Sequence, residues 1–213
     1  MPNSIISHQV PCLFIKMKYP KWIDGTAIYL GAFVPDLNVF FEPFMPFPFR
    51  HVTHSLLGLL IWVAPITILL SILVSRYIGP RISKMVKKER KLYRVAIYFG
   101  LDELHHLKKK KFKWRFYFIA FYSALIGGLT HLLLDLPAHR YNELFFPWDL
   151  FLIPDFLLIP VIELNRTIPL YEIIWYIEDN ILLVISLFLL RKIKKDKLIE
   201  KWYENENLIK VQA

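Results

Sequence analysis

Three long apolar runs dominate the pattern of hydrophobic and polar positions along the chain. Residues 55–75 carry no charge, residues 116–134 are interrupted only by His131, and residues 173–190 contain one adjacent pair of acidic residues. At a rise of about 1.5 Å per residue, a helix of about 20 apolar residues crosses a hydrocarbon core of about 30 Å. The pattern therefore predicts three membrane-spanning helices.

The N-terminal part of the chain predicts a helical hairpin. Residues 8–18 and 22–36 both show apolar positions at near-helical spacing, and a bend is expected near Pro20. The free ends of the two arms carry His8 and Asp36, and the arms differ in reach by only about four residues, or about 6 Å. We therefore expect these two side chains to meet at one site.

Segments rich in proline and aromatic residues separate the predicted helices. Residues 42–49 read EPFMPFPF and predict an interfacial loop, whereas residues 141–163 predict a loop or a re-entrant cap on the outer surface. The expected fold class is all-α, a multi-pass helical membrane bundle of three full spans plus the N-terminal hairpin. We assign residues 1–200 to this single domain and residues 201–213 to a polar cytoplasmic tail.

Composition and charge agree with a membrane protein. The chain is 55% hydrophobic with a mean hydropathy of +0.39, which exceeds what a soluble domain needs to fill its core. The net charge of +9 comes from basic residues beside the apolar runs, so the lipid bilayer is the expected partner and nucleic acid is not. The positive-inside rule then places the basic loop at residues 76–115 and the C-terminus in the cytoplasm.

The candidate chemistry begins in the sequence GGLTHLLLDLPAH at residues 127–139. His131, Asp135 and His139 recur every four residues, which puts them on one face of a helix, although a proline bends the last step. Polar residues in a membrane run are functional by default, and this interval is a metal-ligand spacing. Cys12 is the single cysteine, so histidine and carboxylate side chains must hold any metal ion.

The number of residues between each group of candidate ligands and the basic cytoplasmic loop predicts that further ligands lie at the same end of the bundle. Arg76 lies 22 residues after His54, and Arg115 lies 20 residues before Asp135. Both ligand groups therefore lie about 30 Å from the cytoplasmic boundary, at the extracytoplasmic side of two antiparallel spans. The residues expected to join them there are His8, Asp36, His51 and His131.

Each candidate residue also has an interpretation without chemistry. A single histidine such as His8 in an apolar helix is more often a hydrogen-bonded packing residue. Asp36 and the Thr-His-Ser turn at residues 53–55 fit helix caps. Glu178 and Asp179 have no histidine nearby, and they fit helix packing or the orientation of metal ligands.

The donor set predicts a divalent metal and hydrolysis. Neutral imidazole and ionised carboxylate are the ligands expected for zinc foremost, with manganese or iron as alternatives. A site with more than four such ligands can hold two ions, and bound ions activate water for attack on a phosphoryl or acyl group. Hydrolysis of an ester is therefore the natural reaction for this site.

Four motifs, taken in order, resemble a known family. SHQV, GAFVPDL, HVTHSLLG and GGLTHLLLDLPAH are similar to the prokaryotic membrane proteins grouped as domain-of-unknown-function family 4184, and more loosely to membrane-bound predicted metal-dependent hydrolases. The resemblance covers most of residues 4–150. It implies a helical membrane domain whose matching motif positions are His8, Asp36, His54, His131 and Asp135, with His51 and His139 as further ones.

The leading functional hypothesis is a membrane-embedded metal-dependent hydrolase that acts on a phosphoester or lipid-like ester. Its predicted metal ligands are His8, Asp36, His54, His131 and Asp135. Asp36 is also predicted to act as a water-orienting base, and His51 or His139 as a proton donor. Arg50 or Arg140 is predicted to bind the substrate anion. The first alternative is a non-catalytic membrane protein with a structural polar or metal cluster. The second is a small ion-coupled transporter with Glu178 and Asp179 on its pathway.

Overall fold

The computed structural model describes residues 4–88, 93–139, 141–152, 154–163 and 166–204, which are mostly helical. The α-helices are α1 (Ser4–Ser7), α2 (Val10–Lys18), α3 (Gly25–Phe33), α4 (Asn38–Phe41), α5 (Arg50–Thr53), α6 (Leu56–Lys88), α7 (Arg94–Tyr98), α8 (Trp114–Asp135), α9 (Leu170–Lys195) and α10 (Leu198–Glu204). Four 3-10 segments connect them, at Val34–Leu37, Glu42–Phe44, Leu101–Lys109 and Asp155–Leu158.

Three of the described helices, α6, α8 and α9, are long and apolar enough to cross a membrane. This confirms that the three apolar runs form helices of the length and composition that a membrane span requires. A π-helical turn at Leu59–Val63 directly precedes Pro65, and the N–H of Ala64 donates to the carbonyl of Leu59. Because proline has no N–H to donate, the wider turn accommodates it without ending the helix.

The N-terminal hairpin is formed by α2 and α3 and lies against α8. Asp24 caps α3, since its side chain accepts the N–H of Ala27 at 2.8 Å. The N–H of Asp24 itself donates to Ser123 Oγ at 3.0 Å. Ser123 precedes Asp135, the last residue of α8, by about 18 Å of helix, so the hairpin reaches about halfway along α8.

Small residues let α3 approach α8 closely. A methyl group added at Gly31 would lie 2.5 Å from the carbonyl oxygen of Ala124. One added at Gly127 would lie 2.2 Å from the carbonyl oxygen of Ile28. Both distances are far below van der Waals contact, so glycine is required at both positions, as it often is between closely packed membrane helices.

A buried ion pair anchors the bend of the hairpin to the segment before α8. Lys110 Nζ lies 2.7 and 2.8 Å from the two carboxylate oxygens of Asp24, and it also contacts the hydroxyl of Thr26. The N–H of Thr26 donates to the hydroxyl oxygen of Tyr203 in α10 at 3.3 Å. Tyr203 is buried here, whereas residues 205–213 lie outside the described residues, and the domain boundary at residue 200 stays a prediction.

The segment after α8 corrects the all-α prediction. It forms two antiparallel hairpins, in which β1 (Tyr141–Phe145) pairs with β2 (Asp149–Leu152) and β3 (Pro160–Glu163) pairs with β4 (Arg166–Pro169). Aromatic and β-branched residues favour extended backbone, so segments that were predicted as loop pair locally as strands. The register of β1 shifts between Asn142 and Phe145, which is characteristic of a β-bulge.

Replacing Gly31 with alanine should lower the free energy of unfolding by about 1–3 kcal/mol, because the methyl group forces α3 away from α8. Gly25→Ala is the matched control, since its nearest neighbours are the side chains of Tyr203 and Lys16 at 3.3 Å or more. Thermal unfolding in detergent, followed by tryptophan fluorescence, compares the two variants. Equal melting temperatures would contradict the required close approach.

Candidate metal centre

Four segments of the chain meet where α8 ends and α6 begins. His8 lies in the turn between α1 and α2, Asp36 in the 3-10 turn Val34–Leu37, His54 between α5 and α6, and His131 and Asp135 in the last two turns of α8. The fold therefore brings the side chains of all five predicted ligands to one end of the bundle.

Local signals place two of these residues in turns. The N–H of Gly58 donates to Ser55 Oγ at 2.9 Å, so Ser55 caps α6 and leaves His54 in the turn before it. Pro35 stands at the start of the 3-10 turn that holds Asp36, where its ring ends the α-helical hydrogen bonding of α3. In the Thr-His-Ser motif, the capping role thus belongs to the serine and leaves the histidine available.

Four ligand atoms form a closed ring. His54 Nε2 lies 3.6 Å from Asp36 Oδ1 and 3.5 Å from Asp135 Oδ2. His131 Nε2 lies 3.5 Å from each of the same two oxygens. Around a tetrahedral ion, bonds of about 2.0–2.2 Å, as zinc makes to nitrogen and oxygen, separate the ligand atoms by about 3.3–3.6 Å. The ring therefore matches four of the six separations that a tetrahedral zinc site requires.

The two imidazole nitrogens of this ring are buried and have no hydrogen-bond partner among the described residues. On the other side of each imidazole, His54 Nδ1 lies 2.9 Å from Thr53 Oγ1, and His131 Nδ1 lies 3.1 Å from Nδ1 of His8. Such contacts hold the Nδ1 side of each imidazole and fix its orientation. The Nε2 atoms then face two carboxylates, an arrangement that a cation between them would stabilise.

The imidazoles of His54 and His139 are neutral. Burial, together with the nearby Arg50 guanidinium, lowers the pKa of His54 to about 3 and the pKa of His139 to about 4. Neutral imidazole is the form that binds metal. His139 Nε2 lies 3.6 Å from Asp135 Oδ2, so in its neutral form this predicted proton donor must first accept a proton.

One side of the ring is buried in the protein, and the other side is accessible to solvent. His131 is fully buried, whereas 31% of the Asp36 side chain and 23% of the His139 side chain are exposed. An adjoining cavity of about 10 Å³ has room for about one water molecule. Its lining residues are Arg50, His54, Leu132, Asp135, Leu136, Glu143 and Leu144. Solvent therefore approaches the ring from the side of Asp36 and His139.

Glu143 is a residue of this site that sequence reasoning missed. Its buried carboxylate lies 3.5 Å from Arg50 Nε and 3.3 Å from His51 Nδ1. Arg50 Nη2 lies 3.7 Å from Asp135 Oδ2, so the guanidinium links this carboxylate to the ring. Glu143 stands within the register shift of β1, and such bulges re-aim side chains beside functional sites. A single acidic residue in an aromatic segment has no periodic pattern around it, so nothing in the sequence indicated that Glu143 points into the site.

Comparison with known families gives one match. The family model described as domain of unknown function (DUF4184) matches residues 1–212. The chain belongs to the DUF4184 family. No curated protein and no solved structure matches it. The family resemblance of the four motifs is thereby confirmed, and the looser resemblance to predicted metal-dependent hydrolases stays a prediction.

In this DUF4184 protein, His8 lies behind the ring rather than in it. His8, His131 and Asp135 also offer ligand atoms within 4.8 Å of one another. One neutral imidazole has a single free lone pair, however, so His131 serves either this group or the ring. If His131 binds a metal ion through its Nε2 atom in the ring, the contact between the two Nδ1 atoms lets His8 orient the imidazole of His131.

The remaining predicted residues lie around or outside the ring. His51 turns to Glu143 and stacks on Phe146, with ring centroids 5.7 Å apart, while Arg140 lies outside the described residues. Asp179 accepts a hydrogen bond from the Ser7 hydroxyl, which joins α9 to α1 as a packing contact would.

Proposed function

We propose that this DUF4184 protein is a membrane-embedded, divalent-metal-dependent hydrolase. The observation that carries the proposal is the closed ring of two imidazole nitrogens and two carboxylate oxygens at 3.5–3.6 Å. These distances fit zinc, whereas a small octahedral ion with bonds of about 2.0–2.2 Å needs neighbouring ligands about 2.8–3.1 Å apart.

The charges around the ring also support a divalent cation. The carboxylates of Asp36, Asp135 and Glu143 face one guanidinium, that of Arg50, and burial lowers the pKa of His54 so that its imidazole is neutral. With all three carboxylates ionised, as a bound cation would favour, two negative charges remain for a divalent ion to neutralise. Buried carboxylates without a counter-charge are strongly destabilising, so an ion here would stabilise the fold as well as provide chemistry.

We assign His54, His131 and Asp135 as the ligands that hold the ion. Asp36 is the exposed member of the ring, so its carboxylate would be the one to orient a water molecule beside the ion. A bound divalent ion lowers the pKa of such a water towards neutrality and polarises a phosphoryl or acyl oxygen. Arg50 stands beside the ring, 30% exposed, where its guanidinium can bind the substrate anion.

The surroundings of the site favour a phosphoester or lipid-like ester as the substrate. The ring lies at the ends of α6 and α8, where a membrane helix would emerge into the headgroup region. Phe44, Phe47 and Trp148 are exposed on the loops near this end, and aromatic side chains concentrate at membrane interfaces. A substrate that stays in the bilayer can therefore reach Asp36 and Arg50 laterally.

We place the site at the extracytoplasmic face. Residues 76–115, at the other ends of α6 and α8, hold fourteen lysine and arginine residues. The segment that joins α8 to α9 beside the site holds only Arg140 and Arg166. The positive-inside rule assigns the basic end to the cytoplasm.

One observation favours a second candidate function, a non-catalytic metal site. Structural zinc sites use four protein ligands, and the ring has four candidate ligand atoms. The exposure of Asp36 distinguishes the two candidates, because a purely structural site has no need of an accessible ligand.

Purified protein should bind about one zinc ion per chain after metal removal and reconstitution, and His131→Ala should lose it, because the ring then lacks one of its two imidazoles. His105→Ala is the control, since His105 lies in the segment Leu101–Lys109 and contacts the carbonyl of Asp102. Elemental analysis measures metal per chain. Metal content unchanged by His131→Ala would refute the proposed ligand set.

Asp36→Asn should retain zinc and lower kcat by about 10²–10⁴-fold, because loss of a general base typically costs that much. Turnover is measured on a panel of phosphomonoesters, phosphodiesters and phospholipids. If the zinc-loaded wild-type protein turns over none of these substrates, the hydrolase proposal fails and the structural metal site is favoured.

A cysteine introduced at the exposed position Asp155 should be labelled by a membrane-impermeant maleimide from outside the cell, and one at the exposed position Lys87 only after lysis. The native thiol gives little background, because burial raises the pKa of Cys12 to about 12 and only the thiolate reacts. Labelling of Asp155→Cys from the cytoplasmic side alone would reverse the orientation.

A further inference from the structure

A second cavity lies at the opposite end of α6 from the candidate metal centre. It measures about 260 Å³ and is lined by Arg76, Tyr77, Pro80, Arg81, Lys84 and Lys108. Nothing in the proposed hydrolase mechanism uses these residues. Four of the six are cationic, and no acidic side chain lines the cavity.

The four cations have no internal counter-charge in the described part of the chain. The ion pairs seen at this end of the molecule are those of Lys110 with Asp24 and of Lys194 with Asp102 and Glu103. None of Arg76, Arg81, Lys84 and Lys108 is within 4 Å of a described carboxylate, and all four are exposed. Such a cluster repels itself unless an anion binds, so the cavity is an anion site by charge.

Aromatic rings orient the two guanidinium groups. Arg76 lies over the ring of Phe112 at 5.7 Å, and Arg81 lies over the ring of Tyr77 at 5.8 Å. An arginine that stacks through its flat face keeps its N–H edges free to donate, and this fork matches the oxygens of a phosphate.

The floor of the cavity is held by packing. Gly79, Pro80, Ser83 and Val86 form the buried face of the last ten residues of α6. Ser83 Oγ donates to the carbonyl of Asp102 at 2.5 Å, which fixes this face against the segment Leu101–Lys109. Arg81 and Lys84 are thereby held on the open side, so little order has to be created when an anion binds.

The level of the cavity along α6 indicates the source of the anion. Arg76 is the first charged residue after the start of α6 at Leu56, about 30 Å along the helix. The exposed apolar residues Leu69 and Leu73 directly precede it. A bilayer that covers this apolar stretch has its phosphates at the height of Arg76, and basic pockets at this level bind anionic headgroups.

We propose that this cavity binds the phosphate of an anionic lipid headgroup in the cytoplasmic leaflet. The four cations bind the phosphate oxygens, and the acyl chains lie along Leu69 and Leu73. The volume suits a headgroup rather than a whole lipid, since pockets that enclose a complete drug-sized molecule measure about 300–1,000 Å³. The site does not depend on the metal centre.

Native mass spectrometry of the full chain in a neutral detergent tests this proposal with phosphatidylglycerol and phosphatidylcholine of matched acyl chains. We expect the wild type to retain phosphatidylglycerol selectively. The double variant Arg81→Gln/Lys84→Gln should bind it about 25-fold more weakly, at about fivefold per basic residue. Lys192→Gln/Lys195→Gln is the control, because it removes two exposed charges from the same end of the molecule without touching the cavity.

Equal weakening in both double variants would show a general charge effect and overturn the proposal. Inorganic phosphate and glycerol 3-phosphate separate the two sources of the ligand. If either binds as tightly as phosphatidylglycerol, the ligand is a soluble phosphate and the lipid assignment is wrong. Arg81→Lys keeps the positive charge but removes the two-pronged guanidinium that can donate to two phosphate oxygens. We expect its melting temperature to be unchanged and its selective retention of phosphatidylglycerol to fall by a smaller factor than in the double variant.

Discussion

The close contact between α3 and α8 is the constraint on which the candidate metal centre depends. Gly31 lies about one helical turn before Asp36, and Gly127 lies one turn before His131. The separation of the two helices therefore sets the 3.5 Å distance between Asp36 Oδ1 and His131 Nε2. Metal–ligand distances vary by only about 0.2 Å, so the glycines that pack the bundle also determine whether the ligand atoms match an ion.

Charge is the second constraint at this end of the molecule. Asp36, Asp135 and Glu143 gather around neutral imidazoles with one guanidinium, and the hydrocarbon side of the bundle supplies no water to solvate them. The β1 bulge contributes to this imbalance by turning Glu143 inward, and Arg50 compensates part of it by contacting two carboxylates. The proposed divalent cation would complete this arrangement, and it would link folding to the proposed chemistry.

The two ends of α6 have opposite chemical character. Its start at Leu56 adjoins carboxylates and neutral histidines, whereas its far end carries Arg76, Arg81 and Lys84. In the two proposals, the charge asymmetry that predicts the orientation of the chain in a membrane also provides a cation site at one end of α6 and an anion site at the other. The N-terminal hairpin reaches from the first towards the second, because its free ends lie in the metal centre and its bend is held by Lys110.

Local properties of the chain were readable from the sequence. Helix rise predicted three spans from the lengths of the apolar runs, and helix period put His131 and Asp135 on one face. The similar reach of the two hairpin arms predicted that His8 and Asp36 lie at the same end. Tertiary structure alone decided which nitrogen of each histidine faces the carboxylates, that Glu143 points inward, and that Tyr203 packs under the hairpin. These features depend on contacts between segments far apart in the chain, and on pairing registers that no local periodicity encodes.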